Sequence, residues 1–258
     1  VIGLQRATES RGLAEARADL DAGRRRATEL LRRVLPRLEL GDDELILDLG
    51  CAAAGTVLGL RRLGRRALGL EPDAHACRTA VSLAAELDET LPLVGGLAEH
   101  IPLADGSCGL VLADNLLEHV DDPVAVFTEV ARVLRPGGGF WFYSTSALSP
   151  RQGEIRGFPL FGWYPDGLKK RIMRWARDNR PALVGGTRRP AWHWYTPSRV
   201  GRLLRRAGFH VSYDRWRLRR PDNHGPLGRI VLRLINAFPA LKLAADVVIP
   251  ESSYLALK

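Results

Sequence analysis

Cysteine is scarce in this 258-residue chain: Cys51, Cys77 and Cys108 are an odd number at wide spacing. That excludes a disulfide framework and a zinc-binding pattern, and it suits a reducing compartment. No run of about 18 apolar residues occurs, which excludes a helix that spans a membrane. No apolar, signal-like segment opens the chain at Val1, so secretion is not expected and a cytoplasmic location is. Internal repeats and low-complexity tracts are missing too. What is present has globular proportions, 46% hydrophobic and 26% charged with 26 Gly and 16 Pro, which sets aside disorder, collagen and coiled coil. The length suits one large α/β domain or one domain with a substantial insertion.

Charge is divided along the chain. Residues 1–150 hold 16 Arg, no Lys and 22 acidic residues, a net of −6, whereas residues 151–258 hold 18 Arg, 4 Lys and 7 acidic residues, a net of +15. The basic portion reads either as solvated surface or as a face toward an anionic substrate, a membrane surface or nucleic acid. No nucleic-acid recognition motif accompanies it, so that partner is not expected.

Apolar spacing predicts a helix over 5–35, with Leu13, Ala16, Leu20, Ala27, Leu30, Leu31 and Val34 on its stripe. Short apolar runs then alternate with helical patterns. Strands are expected at 45–49, 67–70, 93–96, 109–113 and 140–144, with helices at 56–63, 73–87 and 123–134. This order implies βαβ units, a parallel sheet and helices on both faces. Residues 149–195 break the rhythm with five prolines, many aromatics and a basic helix over 169–177. A helix over 196–207, a strand over 209–216, a helical pattern over 227–234 and a last strand over 253–257 complete the expectation. The division expected is an N-terminal helical segment (1–40), a core (41–148), an inserted lid (149–195) and a C-terminal completion of the sheet (196–258).

In such sheets ligands bind beyond the carboxyl ends of the strands. The first strand ends in Asp48-Leu49-Gly50-Cys51-Ala52-Ala53-Ala54-Gly55. A turn of small residues lets a ligand touch backbone, and the helix behind it offers N–H groups. Glu71 ends the second strand, where a carboxylate can accept both hydroxyls of a ribose. A tight turn beside a surface glutamate is the plainer reading of the same residues.

Five segments in order carry a resemblance: Leu47 to Ala54 (LDLGCAAA); Gly69-Leu70-Glu71-Pro72; Ala98-Glu99-His100-Ile101-Pro102-Leu103 with Asp105-Gly106-Ser107; Asn115 to Val120 (NLLEHV) with Arg132 to Gly138 (RVLRPGG); and Tyr195-Thr196-Pro197 with Ala207-Gly208-Phe209. Together, over roughly 40–147 and 192–215, the chain resembles class I S-adenosylmethionine-dependent methyltransferases of the small-molecule and quinone-pathway branch. The resemblance implies a Rossmann-like, doubly wound, seven-stranded, mostly parallel sheet with a helical lid. It also implies S-adenosylmethionine as cofactor. Asp48 would anchor the turn. Gly50, Cys51, Ala52 and Gly55 would lie against the methionine portion, and Glu71, followed by Pro72, would hold the ribose. Ala98 and Glu99 would border the adenine, and Ala113 with Asp114 the methionine end. Ala52 and Ala54 stand where the family mostly has glycine, Leu97 where an Asp or Asn is common, and Gly109 where an Asp is usual.

Candidate bases are His193, between two tryptophans, and His119; a histidine titrates near working pH. Each has a structural alternative, core packing or local hydrogen bonding. Glu118 and His119 match two of three ligands in some quinone O-methyltransferases, but Asn115 stands in the third place, so no metal is expected. Aromatic and basic residues over 158–177 suit a lid, with peripheral membrane contact as a further expectation. The activity expected is methylation of a small, lipophilic or anionic acceptor, at oxygen. The alternatives are a scaffold that has lost turnover and a catalyst of a non-methylating reaction. Oligomeric state is not legible.

Overall fold

The computed structural model describes residues 2–184, 189–219 and 225–258, with backbone alone for 2–13, 15 and 16. Leu13 and Ala16 of the expected stripe, residues 185–188 of the insertion and 220–224 near the C-terminus therefore lie outside the described side chains or residues. Seven strands form one sheet in the order β3-β2-β1-β4-β5-β7-β6. They are β1 (Leu45–Leu49), β2 (Ala67–Glu71), β3 (Leu93–Gly95), β4 (Cys108–Asp114), β5 (Leu134–Thr145), β6 (Val211–Asp214) and β7 (Glu251–Leu257). β1 pairs in parallel with β2 and β4, and β2 with β3. This is the expected Rossmann-like doubly wound sheet.

Nine helices flank the strands among the described residues: α1 (Ile2–Val34), α2 (Gly55–Arg62), α3 (Ala74–Glu86), α4 (Pro123–Val133), α5 (Asp166–Asn179), α6 (Pro197–Arg206), α7 (Arg215–Leu218), α8 (Pro226–Ala237) and α9 (Pro239–Val248). Local chemistry sets several ends. Asp73 caps α3 by accepting from the N–H groups of His75 and Ala76, and Thr196 caps α6 by accepting from Arg199 N–H. The chain divides into two compact units. One is Val1–Ala113 with Thr128–Phe140 and Leu257–Lys258; the other is Asp114–Phe127 with Trp141–Ala256.

In the first unit, β1 and β4 are buried on both faces, with Ile46, Leu47, Leu49, Leu110 and Val111 fully enclosed. That is why these runs read as continuously apolar rather than alternating. On α1, Leu20, Ala27, Leu30, Leu31 and Val34 are buried. α1 also crosses α2 at backbone contact. A β-carbon on Gly23 would fall 1.8 Å from the Gly55 carbonyl oxygen, and one on Gly59 would fall 2.2 Å from Gly23 O. Gly109, where the family usually has an Asp, faces a similar limit: a β-carbon there would meet Leu40 at 2.6 Å and Glu44 at 3.0 Å.

Three expectations are corrected. β5 begins at Leu134 rather than 140, because the glycine run pairs with the chain end: Gly137 N–H donates to Lys258 O and Lys258 N–H to Gly138 O. β6 is only four residues long, because Asp214 caps α7, accepting from Trp216 and Arg217 N–H. The helical pattern at 227–234 is one of a pair: α9 follows α8 after Phe238, with Pro239 in its first turn.

In the second unit the insertion has its own apolar core of Ile155, Phe161, Met173, Ala176, Val184, Ala191 and Trp194. Lys169, the first residue of the expected basic helix, is 3% exposed. Its ammonium sits 4.2 Å from the Trp194 ring centre and pairs with Asp166 at 2.7 Å.

A Gly23→Ala substitution tests the helix crossing. The added methyl meets unyielding backbone, so urea unfolding should show a loss of about 2 kcal/mol or more. Ala22→Ser beside it, on a half-exposed position, should change stability by under about 0.5 kcal/mol.

Candidate functional site

The first group of expected site residues lies on the first unit. Asp48, 7% exposed, closes β1. The chain then turns through Gly50 (φ 66°), Ala52 (φ 48°) and Ala54 (φ 57°), three left-handed residues in five. An alanine held there costs on the order of 1 kcal/mol relative to a relaxed conformation. The glycine preference at positions 52 and 54 thus has a backbone cause. Ala54 is fully buried and Ala52 is exposed, so only the Ala52 methyl stands on the open side of the turn.

Glu71, at the end of β2, reaches back to this turn. Its Oε2 accepts from Ala52 N–H at 2.9 Å, and its Oε1 accepts from Asp73 N–H at 3.0 Å. Two donors leave about half of a carboxylate's lone-pair sites for further donors such as sugar hydroxyls. Pro72 beside it is exposed. Gly69 of the same strand admits no side chain, since a β-carbon would fall 2.5 Å from Cys51 Sγ. Cys51 is buried, and desolvation pushes its thiol far above the ordinary range, so it is an inert wall. After β3, open space lies beyond the Gly95 α-carbon; Leu97 is exposed, Ala98 buried and Glu99 half-buried.

Gly55 is placed differently from its expected role. Its N–H, the first of α2, donates to Asp19 Oδ2 at 2.8 Å, and its α-carbon packs on α1. Arg26 holds Asp19 in place through Oδ1 at 2.6 Å and the Asp19 carbonyl at 2.9 Å. The amide expected to be offered to a ligand is therefore already satisfied by a carboxylate from α1. The physical reason is the α1–α2 crossing, which the segment-by-segment reading did not contain.

Ala113 is buried at the end of β4. Asp114 begins the second unit, exposed, with Oδ1 accepting from Trp141 Nε1 at 3.1 Å. Further along, Glu118, His119 and Glu154 bring one ligand-type atom each to within 4.8 Å of one another. Glu118 is wholly buried; Oε2 accepts from Ser144 Oγ at 2.9 Å, while Oε1 has no hydrogen-bond partner. His119 Nε2 lies 3.8 Å from Glu154 Oε2, and Glu154 Oε1 accepts from Thr145 Oγ1 at 2.8 Å. Burial, with Glu154 second, pushes the Glu118 carboxyl up to about 7. Two carboxylates and an imidazole can share a proton or take a divalent cation. The expectation of no metal rested on Asn115 as third residue. Here the third group is Glu154, from the insertion.

His193 is half-buried in the same unit. Its backbone, with that of Trp192, donates to Glu118 O, at 3.3 and 2.7 Å respectively. Burial first, then Arg199 and Lys170, hold its imidazole below the ordinary 6.5, so it is neutral at neutral pH and able to accept a proton.

Residues 47–142 match the family described as a methyltransferase domain. This stretch carries a methyltransferase domain. A norajmaline N-methyltransferase of Rauvolfia serpentina is 27% identical over 139 residues, 52% of this chain and 44% of that protein. An uncharacterized methyltransferase of Mycobacteroides abscessus is 29% identical over 182 residues, 58% of this chain and 68% of that one. In structure the chain is similar to geranyl diphosphate C-methyltransferase of Streptomyces coelicolor A3(2), crystallised with Mg2+, geranyl diphosphate and S-adenosyl-L-homocysteine. The TM-score is 0.53 at 18% identity, covering 89% of this chain and 77% of that one. The chain spans less than half the length of several curated relatives it matches.

Within the methyltransferase domain, part of the motif pattern is scaffolding. Arg132 donates to Ile101 O and Leu103 O, each at 2.8 Å, and to Asp105 at 2.7 Å. Glu129 holds the guanidinium and accepts from Ile101 N–H at 2.9 Å. The RVL segment thereby fastens the loop that carries Ala98 and Glu99. The family's cofactor is S-adenosylmethionine, and the lone pairs of Glu71 not used by the Ala52 and Asp73 N–H groups can accept hydroxyl donors of the kind a ribose carries. Glu154 and Asp19 were missed as functional neighbours because both come from elements distant in sequence. The only signal for Glu154 was that it is one of three acidic residues in a mostly basic insertion.

The raised Glu118 carboxyl has a signed consequence. Between pH 4.5 and 7 the unfolded chain has lost this proton and the folded chain keeps it, so stability falls as pH rises. In metal-free buffer the fall attributable to this group is about 3 kcal/mol. Urea unfolding across that window should show a markedly flatter decline for Glu118→Gln than for the native chain.

Proposed function

We propose that the chain transfers a methyl group from S-adenosylmethionine to a small, lipophilic or anionic acceptor, at an acceptor oxygen. The observation that carries the reading is the Glu71 carboxylate, 2.9 Å from the Ala52 N–H, inside a domain that matches the methyltransferase family. Glu71 holds the ribose through its remaining lone pairs. Gly50, Cys51 and Ala52 present backbone along the cofactor, and Ala98 and Glu99 border its base. Asp48 anchors the turn, while Ala113 and Asp114 are assigned to the methionine end. When bound, the cofactor supplies an electrophilic methyl group on a positively charged sulfur.

The acceptor hydroxyl must lose its proton as the new bond forms. His193 is assigned that proton because its imidazole is held neutral by burial and by the cations Arg199 and Lys170. His119, against Glu154, is the second candidate. The insertion's own apolar core supports a preformed acceptor wall, and Leu160, Trp163, Leu168 and Trp175 are exposed on it; peripheral contact with a lipid surface through 158–177 belongs to the same reading. The cytoplasmic assignment also stands as part of the proposal.

A second reading, a scaffold without turnover, is favoured by one feature: the two alanines held in left-handed conformations where glycine would be relaxed. Calorimetry separates the two. S-adenosylhomocysteine should bind the native chain, and Glu71→Ala should weaken it at least tenfold, the worth of hydrogen bonds to a charged group. His193→Asn should leave that affinity unchanged while lowering turnover by roughly a hundredfold or more, read as the mass gain of one methylene unit in acceptor pools. Absence of heat with ligand in excess contradicts the methyltransferase reading; binding without any product favours the scaffold.

A further inference from the structure

α8 and α9 form an amphipathic hairpin turned inside out. On α8, Leu227 (75% exposed), Ile230, Val231 and Leu234 recur at i, i+3, i+4 and i+7, and all face solvent; Leu232 alone is buried. α9 buries no residue, and Phe238, Leu241, Leu243 and Val248 (72%) are exposed on or beside it. Three polar side chains reach toward α7 and β6 instead. Asn236 Nδ2 donates to Trp216 O at 3.4 Å, Asp246 Oδ1 accepts from Trp216 Nε1 at 2.7 Å, and Lys242 pairs with Asp214. Eight of the large apolar side chains exposed among the described residues lie within the 23 positions from Pro226 to Val248. A hairpin that merely completed a water-facing surface would have the opposite orientation.

We infer that this hairpin is a docking surface for an anionic lipid bilayer, on which it lies in the plane of the interface. Charge selects this occupant. Arg229 and Arg233, both exposed, stand one turn apart beside the apolar stripe. The one acidic residue between Pro226 and Val248 is Asp246, and it is turned inward to Trp216. A second copy of the chain would bring Arg229 and Arg233 against their own equivalents, on a portion of the chain with a net charge of +15 over 151–258. Anionic headgroups complement the arginines, and the acyl boundary accepts the leucine, isoleucine and valine stripe. Two helices of 12 and 10 residues are too short to cross a bilayer, and no helix among the described residues is long and apolar enough to do so. Docking of this kind would bring the chain to acceptors that reside in lipid. The inference stands independently of the transferred group, because its test reads vesicle binding and not turnover.

The test is co-sedimentation of the full chain with phosphatidylcholine vesicles, with and without phosphatidylglycerol. The native chain should pellet with the anionic vesicles only, less so as salt rises. A Leu227→Glu/Ile230→Glu/Leu234→Glu variant should lose at least tenfold in vesicle affinity with its thermal unfolding unchanged, since these side chains are exposed. Arg229→Gln/Arg233→Gln should weaken binding roughly tenfold. The inference is overturned if the native chain ignores anionic vesicles or if the triple variant binds them as well as the native chain. It is overturned also if sedimentation equilibrium shows a dimer that the triple variant dissolves while vesicles are left unbound; the face would then belong to a second copy.

Discussion

Three left-handed residues in five, Gly50, Ala52 and Ala54, bend the chain after β1, and the Glu71 and Asp19 carboxylates are both bonded to amides of that bend. A turn this tight needs outside support, because two of its members are alanines. Glu71 supplies it from β2 by accepting the Ala52 N–H, and Asp19 supplies it from α1 by accepting the Gly55 N–H. The two carboxylates divide the work. One faces the open side of the turn with lone pairs to spare. The other seals the start of α2 and is itself held by Arg26. A net negative first portion of the chain thus has specific uses for its acids, and suits a cofactor that carries positive charge at sulfur.

The alternation of short apolar runs with helical patterns was enough to read β1 to β4 and the doubly wound sheet, because buried parallel strands leave little choice of residue. The ordered segments from Leu47 to Phe209 were enough to name the family. What escaped depended on contacts distant in sequence. Gly23 carries no local signal, yet it sets the α1–α2 crossing, and that crossing moves Gly55 from ligand contact to helix packing. Glu154 stands in a loop without periodicity, yet it is the third member of the group with Glu118 and His119. The glycine run at 137–139 reads as a helix stop and is also strand, because its partner is the end of the chain at Lys258.

The second unit handles polarity in an unusual way at two places. Around Glu118 it buries a carboxyl with one oxygen unpartnered, an arrangement that costs stability and persists where a site needs a poised proton or a ligand. At α8 and α9 it bonds Asn236 and Asp246 to Trp216 and shows a row of apolar side chains to solvent. Only the hairpin falls in the portion of the chain with excess positive charge, 151–258; Glu118 lies in the net negative portion.

The central claim is that the cofactor lies along Gly50–Ala52 and Glu71 while Gly55 is reserved for α1. Amide chemical shifts followed by NMR during titration with S-adenosylhomocysteine test it most directly. The account predicts large, saturable shifts at Cys51 and Ala52, with Gly55 nearly unmoved because its N–H stays on Asp19. Large shifts at Gly55 with a silent Cys51–Ala52 turn would contradict it.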